Sequence, residues 1–156
     1  LATGAANGKR AFPHEAQNAI QAVIATGEKN HRAQVRLIVE PAFPLSVLIE
    51  GISSRERARE LFAHYRIWDT EENVGILIYI NLADRRVEII TDRTVGRLLN
   101  AKDWDAVCQT MTRGFALGNF SDSAVDGIKL MNDLLLQYLP SQGASNNELS
   151  NMPLIL

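Results

Sequence analysis

The sequence predicts an α/β fold, a small mixed β-sheet sandwiched between helices on both faces in an α/β/α, Rossmann-like arrangement. Three observations carry this. Val74 to Leu82 is almost continuously apolar, which fits a central strand buried on both faces better than a half-exposed one. Val35 to Val39 and Val87 to Thr91 are β-branched and alternating, the signature of further strands. Stretches with apolar residues at helical spacing lie before, between and after these strands, and placing them on both faces of a small sheet buries every stripe.

Taken in order, residues 1–11 are rich in Ala, Gly and Asn and read as a flexible lead-in to a domain spanning 12–140. Pro13 suits the first helical position, and Ala16, Ile20, Val23, Ile24 and Gly27 continue a helix to about Lys29. The strand Val35 to Val39 is closed by Glu40-Pro41, and Pro41 with Pro44 enforces a loop. Leu45 to Ile49 is a short apolar segment of either type. Ser53-Ser-Arg-Glu56 has the spacing of a capping box, followed by a stripe of Ala58, Leu61, Phe62 and Tyr65. A right-handed crossover then makes the first two strands parallel. Ala83-Asp-Arg85 forms a tight turn into an antiparallel third strand.

Asn100 caps a helix carrying Trp104, Val107, Cys108, Met111 and Phe115. Ser121 is expected to cap a last helix with Val125, Ile128, Met131, Leu134, Leu135 and Tyr138, ended by Pro140. Residues 141–156 form a polar tail with an apolar end: Ser141 to Asn151 are expected to lack order, and Met152 to Leu156 to dock onto a partner or back onto the chain's own domain.

A chain of 156 residues has room for one genuine core. A net charge of -2 and a pI near 5.9 leave no basic footprint for nucleic acid. No apolar run is long enough to span a bilayer. The compartment is open: cytoplasmic, or exported or lumenal after loss of a leading segment, since the chain opens on Leu1. His14, His31, His64 and Cys108 lack zinc-ligand spacing. No nucleophile elbow or phosphate-cradling glycine loop is present. Cys108 and Trp104 lie on an apolar stripe, Trp68 is expected in the core, and Arg55, Arg57 and Arg59 read as a solvated helix face.

The topology sorts the remaining polar residues into two rims. Asp69, Glu71, Glu72 and Asn73 precede the central strand, while Asp92 and Arg93 leave the antiparallel strand beside it. Asp69, Asn73 and Asp92 are therefore candidate ligands of a hard cation such as calcium or magnesium, with His64 and Arg93 expected nearby as ligand contacts. Glu40, Asn81 and Asp84 form a second candidate rim at the carboxyl ends of the parallel strands, where open sheets bind ligands. In both places turn geometry alone also accounts for Asp and Asn.

Arg57-Ala-Arg-Glu-Leu-Phe62, Ile67-Trp-Asp69, Asn73-Val-Gly-Ile-Leu-Ile78, Ala83-Asp-Arg-Arg-Val-Glu-Ile89 and Phe115-Ala-Leu-Gly-Asn-Phe120 occur in order. From about Phe12 to Leu139 the chain resembles the TPM domain family. That family includes thylakoid-lumen proteins tied to photosystem II repair, bacterial membrane-linked proteins and a receptor-modulating protein of worms. The resemblance implies a sheet of about four strands and an acidic cleft that binds calcium or another divalent ion in some members. Weak acid phosphatase activity is attributed to plant relatives. Two departures mark this chain as a divergent, soluble branch. Lys9-Arg-Ala-Phe-Pro-His14 lacks the Asp common before the first helix, and Thr91-Asp-Arg-Thr94 replaces a Gly-rich turn.

The expectation is a non-enzymatic interaction or accessory module for a membrane-associated complex, with a protein partner and a site for calcium or magnesium. The alternative is a weak metal-dependent acid phosphatase, in which a carboxylate-held calcium, magnesium or manganese ion polarises the phosphoryl group.

Overall fold

The computed structural model describes residues 5–156. Its elements are α1 (Ala5–Ala11), α2 (His14–Asn30), β1 (Gln34–Glu40), α3 (Leu45–Glu50), α4 (Ser54–His64), β2 (Gly75–Asn81), β3 (Arg86–Thr91), α5 (Arg93–Leu98), α6 (Ala101–Ala116), α7 (Phe120–Tyr138) and β4 (Leu154–Ile155). The four strands form one sheet in the order β3-β2-β1-β4. β1 pairs in parallel with β2 and with β4, and β2 pairs antiparallel with β3.

Every residue of β2 is buried, as its unbroken apolar run requires. Ile76, Ile78 and Ile80 face a large core with Val35, Leu37 and Val39 of β1, closed by α2, α6 and α7. Leu77 and Tyr79 point the other way and join Ile38, Ala58, Leu61 and Ile90 under α4. This is the expected sandwich with helices on both faces. Asn100 and Asp103 form a reciprocal capping box at α6. At α4 only half of the box forms: Ser53 accepts from the Glu56 amide at 3.1 Å, while the Glu56 carboxylate takes the Ser53 hydroxyl rather than a backbone amide.

Several expectations need correction. Ala5–Ala11 is helical rather than a loose lead-in, because Gly8 docks against Pro41 and Ile155 at the sheet edge; residues 1–4 lie outside the described residues. Leu45–Glu50 is a short helix that Pro44 opens and Gly51 closes in the left-handed region at φ 69°. α5 was not foreseen at all. The last helix begins at Phe120 with Asn119 before it, and Ser121 donates its hydroxyl to the Ala11 carbonyl instead of capping. Trp68 is 46% exposed, with Arg66 over its ring. The stretch Ser141 to Asn151 is not without order, since Gln34 holds the Glu148 and Leu149 amides, and the apolar end docks back onto its own domain, where Leu154 and Ile155 supply the fourth strand.

The start of β2 is tightly constrained. A Cβ on Gly75 would collide with the backbone carbonyl oxygen of Ile67, which no side-chain motion relieves. Gly75→Ala is therefore expected to cost about 3 kcal/mol in urea unfolding. Gly96→Ala in α5 meets only the Thr91 hydroxyl at 3.3 Å, and should change stability by less than about 1 kcal/mol.

Candidate functional site

The carboxyl ends of β1 and β2 carry a buried polar cluster. Register pairs Glu40 with Asn81, and two-residue alternation puts Tyr79 on the same face as Asn81. Glu40 is 3% exposed. It accepts two bonds from the Arg57 guanidinium, Nε to Oε1 at 3.0 Å and Nη2 to Oε2 at 2.7 Å. The Tyr79 hydroxyl donates to Oε1 at 2.7 Å. Burial, and then the adjoining Glu40, push the Tyr79 phenol far above its ordinary range, so it serves as a fixed donor. The bond to Glu40 raises the Arg57 pKa further.

Asn81 is fully buried, and its Oδ1 accepts from the Asp84 amide at 3.1 Å to brace the hairpin. Its Nδ2 lies beside the Tyr79 oxygen without a well-formed hydrogen bond. Asp84 itself is exposed on the turn. The second rim is thus partly assembled: Glu40 and Asn81 meet, and Asp84 contributes only backbone. Arg57 is not on a solvated face, as its spacing suggested, but turned inward with 16% side-chain exposure. Glu40, Arg57, Glu60, Leu61, His64, Tyr65 and Leu156 line a cleft of about 530 Å³ above the cluster. His64 therefore sits with the second rim rather than serving the first.

The first rim is brought together by backbone. The Asp92 amide donates to the Gly75 carbonyl at 2.9 Å and the Thr94 amide to the Asn73 carbonyl at 3.1 Å. Its side chains are committed elsewhere. Asp69 pairs with Arg66 at 2.9 Å, Glu72 with Arg32 at 2.8 Å, and Asp92 Oδ1 accepts the Arg93 amide at 2.7 Å at the start of α5. Asn73 is exposed in the left-handed region at φ 57°, and Arg93 is exposed. Among the described residues no three His, Cys, Asp or Glu side chains converge into a metal-binding group. Of the candidate ligands, Asp69 is engaged by Arg66 and one oxygen of Asp92 by the Arg93 amide.

One titratable group escaped the sequence reading. Glu28, at the end of α2, accepts the Val35 amide at 2.7 Å through Oε2, while Oε1 is buried without a donor. Burial opposes its charge more than that bond favours it, pushing the carboxyl up to about 7. The tail passes over it: Gln34 Oε1 accepts the Glu148 and Leu149 amides at 2.9 and 3.2 Å. Glu28, Gln34 and Asn151 line a cavity of about 200 Å³, in which Asn151 Oδ1 is also buried without a donor. Cys108, by contrast, is pushed up to about 12 by burial and is a poor nucleophile. The signal for its burial is the period of the helix, which puts Glu28 four residues beyond the buried Ile24.

A carboxyl whose folded pKa stands above its unfolded value weakens the folded state wherever the unfolded chain would ionise. Glu28 thus costs nothing below about pH 4.5, and its cost grows as pH rises toward about 7. Glu28→Gln keeps an acceptor for Val35 and never ionises. The variant should melt a few degrees above the parent at pH 8 and with it at pH 4.5, by thermal scans at both. An equal shift at both pH values would assign the effect to packing instead.

Comparison with known proteins adds to this geometry. Among solved structures the chain is similar to the NMR structure of BA42 protein from the psychrophilic bacterium Bizionia argentinensis, with TM-score 0.81 and 26% identity over 92% of this chain and 94% of that one. No curated protein matches. The TPM domain model matches residues 8–134, a span that holds β1 to β3 and both rims. The chain belongs to the TPM domain family.

Proposed function

We propose that this TPM domain is a non-enzymatic interaction module, an accessory part of a membrane-associated complex that docks a protein partner through α3. The observation that carries the reading is the exposure of Leu45 at 73%, Leu48 at 60% and Ile49 at 77% on one six-residue helix. Apolar side chains gathered in this way mark contact surfaces more often than scattered ones do. The helix is bounded by Pro44 and Gly51 and anchored by the buried Val47, which leaves the Leu45, Leu48 and Ile49 side exposed. The membrane setting rests on the company the family keeps. The described residues contain no helix long and apolar enough to cross a membrane.

A photo-reactive side chain at position 48, irradiated in a membrane extract of the source organism, should give one discrete protein adduct that Ile49→Asp removes. The same adduct from position 117, where Leu117 is exposed outside α3, would sink the reading.

The cation and phosphatase readings meet one obstacle, the engagement of Asp69 with Arg66 and of Asp92 with the first turn of α5. Calorimetric titration of calcium, then magnesium and manganese, into chelator-treated protein should give no saturable heat in the micromolar range. Saturable binding lost in Asp92→Asn would replace this reading with a cation-dependent one and make phosphatase assays the next step.

A further inference from the structure

We propose that the outer edge of β1 is a strand-accepting interface, and that its occupant, the segment Met152 to Leu156, is exchangeable with the same segment of a second copy of this chain. The edge is long and its present cover is short. β4 pairs only Leu154 with Ile38 and Ile155 with Val39, extended by the Leu156 amide donating to the Val39 carbonyl at 2.8 Å. Among the described residues nothing else bonds this side of β1 as a strand. With the tail lifted, the outward-facing backbone groups around Leu37 and Val39 lose their partners, while the Val35 amide stays on Glu28, and such open edges pair with other chains.

The seat is specific for an extended segment with alternating apolar side chains. Leu154 and Leu156 pack into the core under α4, while Ile155 faces the opposite core. The Arg36 guanidinium donates to the Met152 carbonyl at 2.7 Å and to the Ser150 carbonyl at 3.3 Å. Gln34 receives the Glu148 and Leu149 amides. These contacts are to backbone atoms and to an alternation, so a segment from another copy satisfies each of them equally.

The connection permits the exchange. Pro140 bridges to His31, and the Ser141 amide bonds the Asn30 carbonyl. Residues 142–147 then run without helix or strand to the seat at Gln34. Six residues reach roughly 20 Å at most, and here they close within one copy, from Ser141 at Asn30 to Glu148 at Gln34. Exchange swaps like contacts for like, so hinge length and concentration decide between the closed and exchanged forms.

Deleting residues 142–146 from the full chain leaves the hinge too short to fold back comfortably. The shortened chain is expected to run as a dimer in light scattering, and adding Leu154→Asp should return it to monomer. A monomer throughout the micromolar range overturns the proposal. A dimer that survives Leu154→Asp also overturns it, and points to another surface such as α3. The intact chain provides a check that does not depend on the deletion folding. Two differently isotope-labelled batches, unfolded and refolded together at high concentration, should show cross-copy contacts between the Leu156 amide and Val39. Contacts confined within single copies overturn the exchange.

Discussion

Burial of β2 on both faces is the constraint on which the rest of the molecule depends. Seven consecutive residues have no solvent-facing side, so helices must cover both surfaces of the sheet. Each fully buried branched side chain contributes about 1.5–3 kcal/mol relative to exposure, and Ile76, Leu77, Ile78 and Ile80 are all closed off, as is Tyr79 between them. The same constraint fixes the fate of polar groups on these strands. Tyr79 and Asn81 cannot reach water, so their partners must be inside. Glu40, brought beside Asn81 by the parallel register, supplies one of them. A buried carboxylate then needs a cation, and Arg57 on α4 provides it in a two-point fork. The polar cluster thus follows from the core's architecture.

What could be read from the sequence divides along that line. β2 and its hairpin were legible because local pattern and tertiary burial agree there. The Asn100 cap was legible because both partners lie within one turn. α1, α5 and β4 were not. α1 has the composition of a linker and becomes a helix by resting on the sheet edge. α5 is six residues long, started by Asp92 and stabilised by inserting Val95 into the core. β4 is two residues at the end of a polar stretch, and its partner lies more than a hundred residues earlier.

The candidate sites show the same division in their side chains. Topology correctly separated two rims, because strand direction alone places Asp92 with Asn73 and Glu40 with Asn81. It could not say what each carboxylate would meet. Arg57 looked like one of three equivalent surface arginines, but the cap at Ser53 sets the helix phase that turns it inward beside Ala58 and Leu61. Asp69 looked like a ligand and faces Arg66, three residues away in a turn with left-handed Arg66 at φ 54°. Glu28 carries no local signal of a role, and the cavity around it is lined in part by Ser145, Asn146, Asn147 and Asn151, arriving from the far end of the chain.

The tail makes that dependence physical. Arg36 is desolvated enough that burial lowers its pKa, and the partners it has there are the Ser150 and Met152 carbonyls. Neutral carbonyls recover less of the cost of burying a guanidinium than a carboxylate would. They do, however, fix the path of a backbone whatever side chains it carries. Gln34 does the same with two successive amides. Recognition of the tail is therefore by backbone geometry with apolar side chains filling alternate sides, and little of it is Coulombic. Salt should leave such a seat nearly unchanged, whereas it weakens the exposed pair of Arg66 with Asp69. The edge of β1 is thus sealed by shape and hydrogen bonding, the two properties that any strand of the same alternation carries with it.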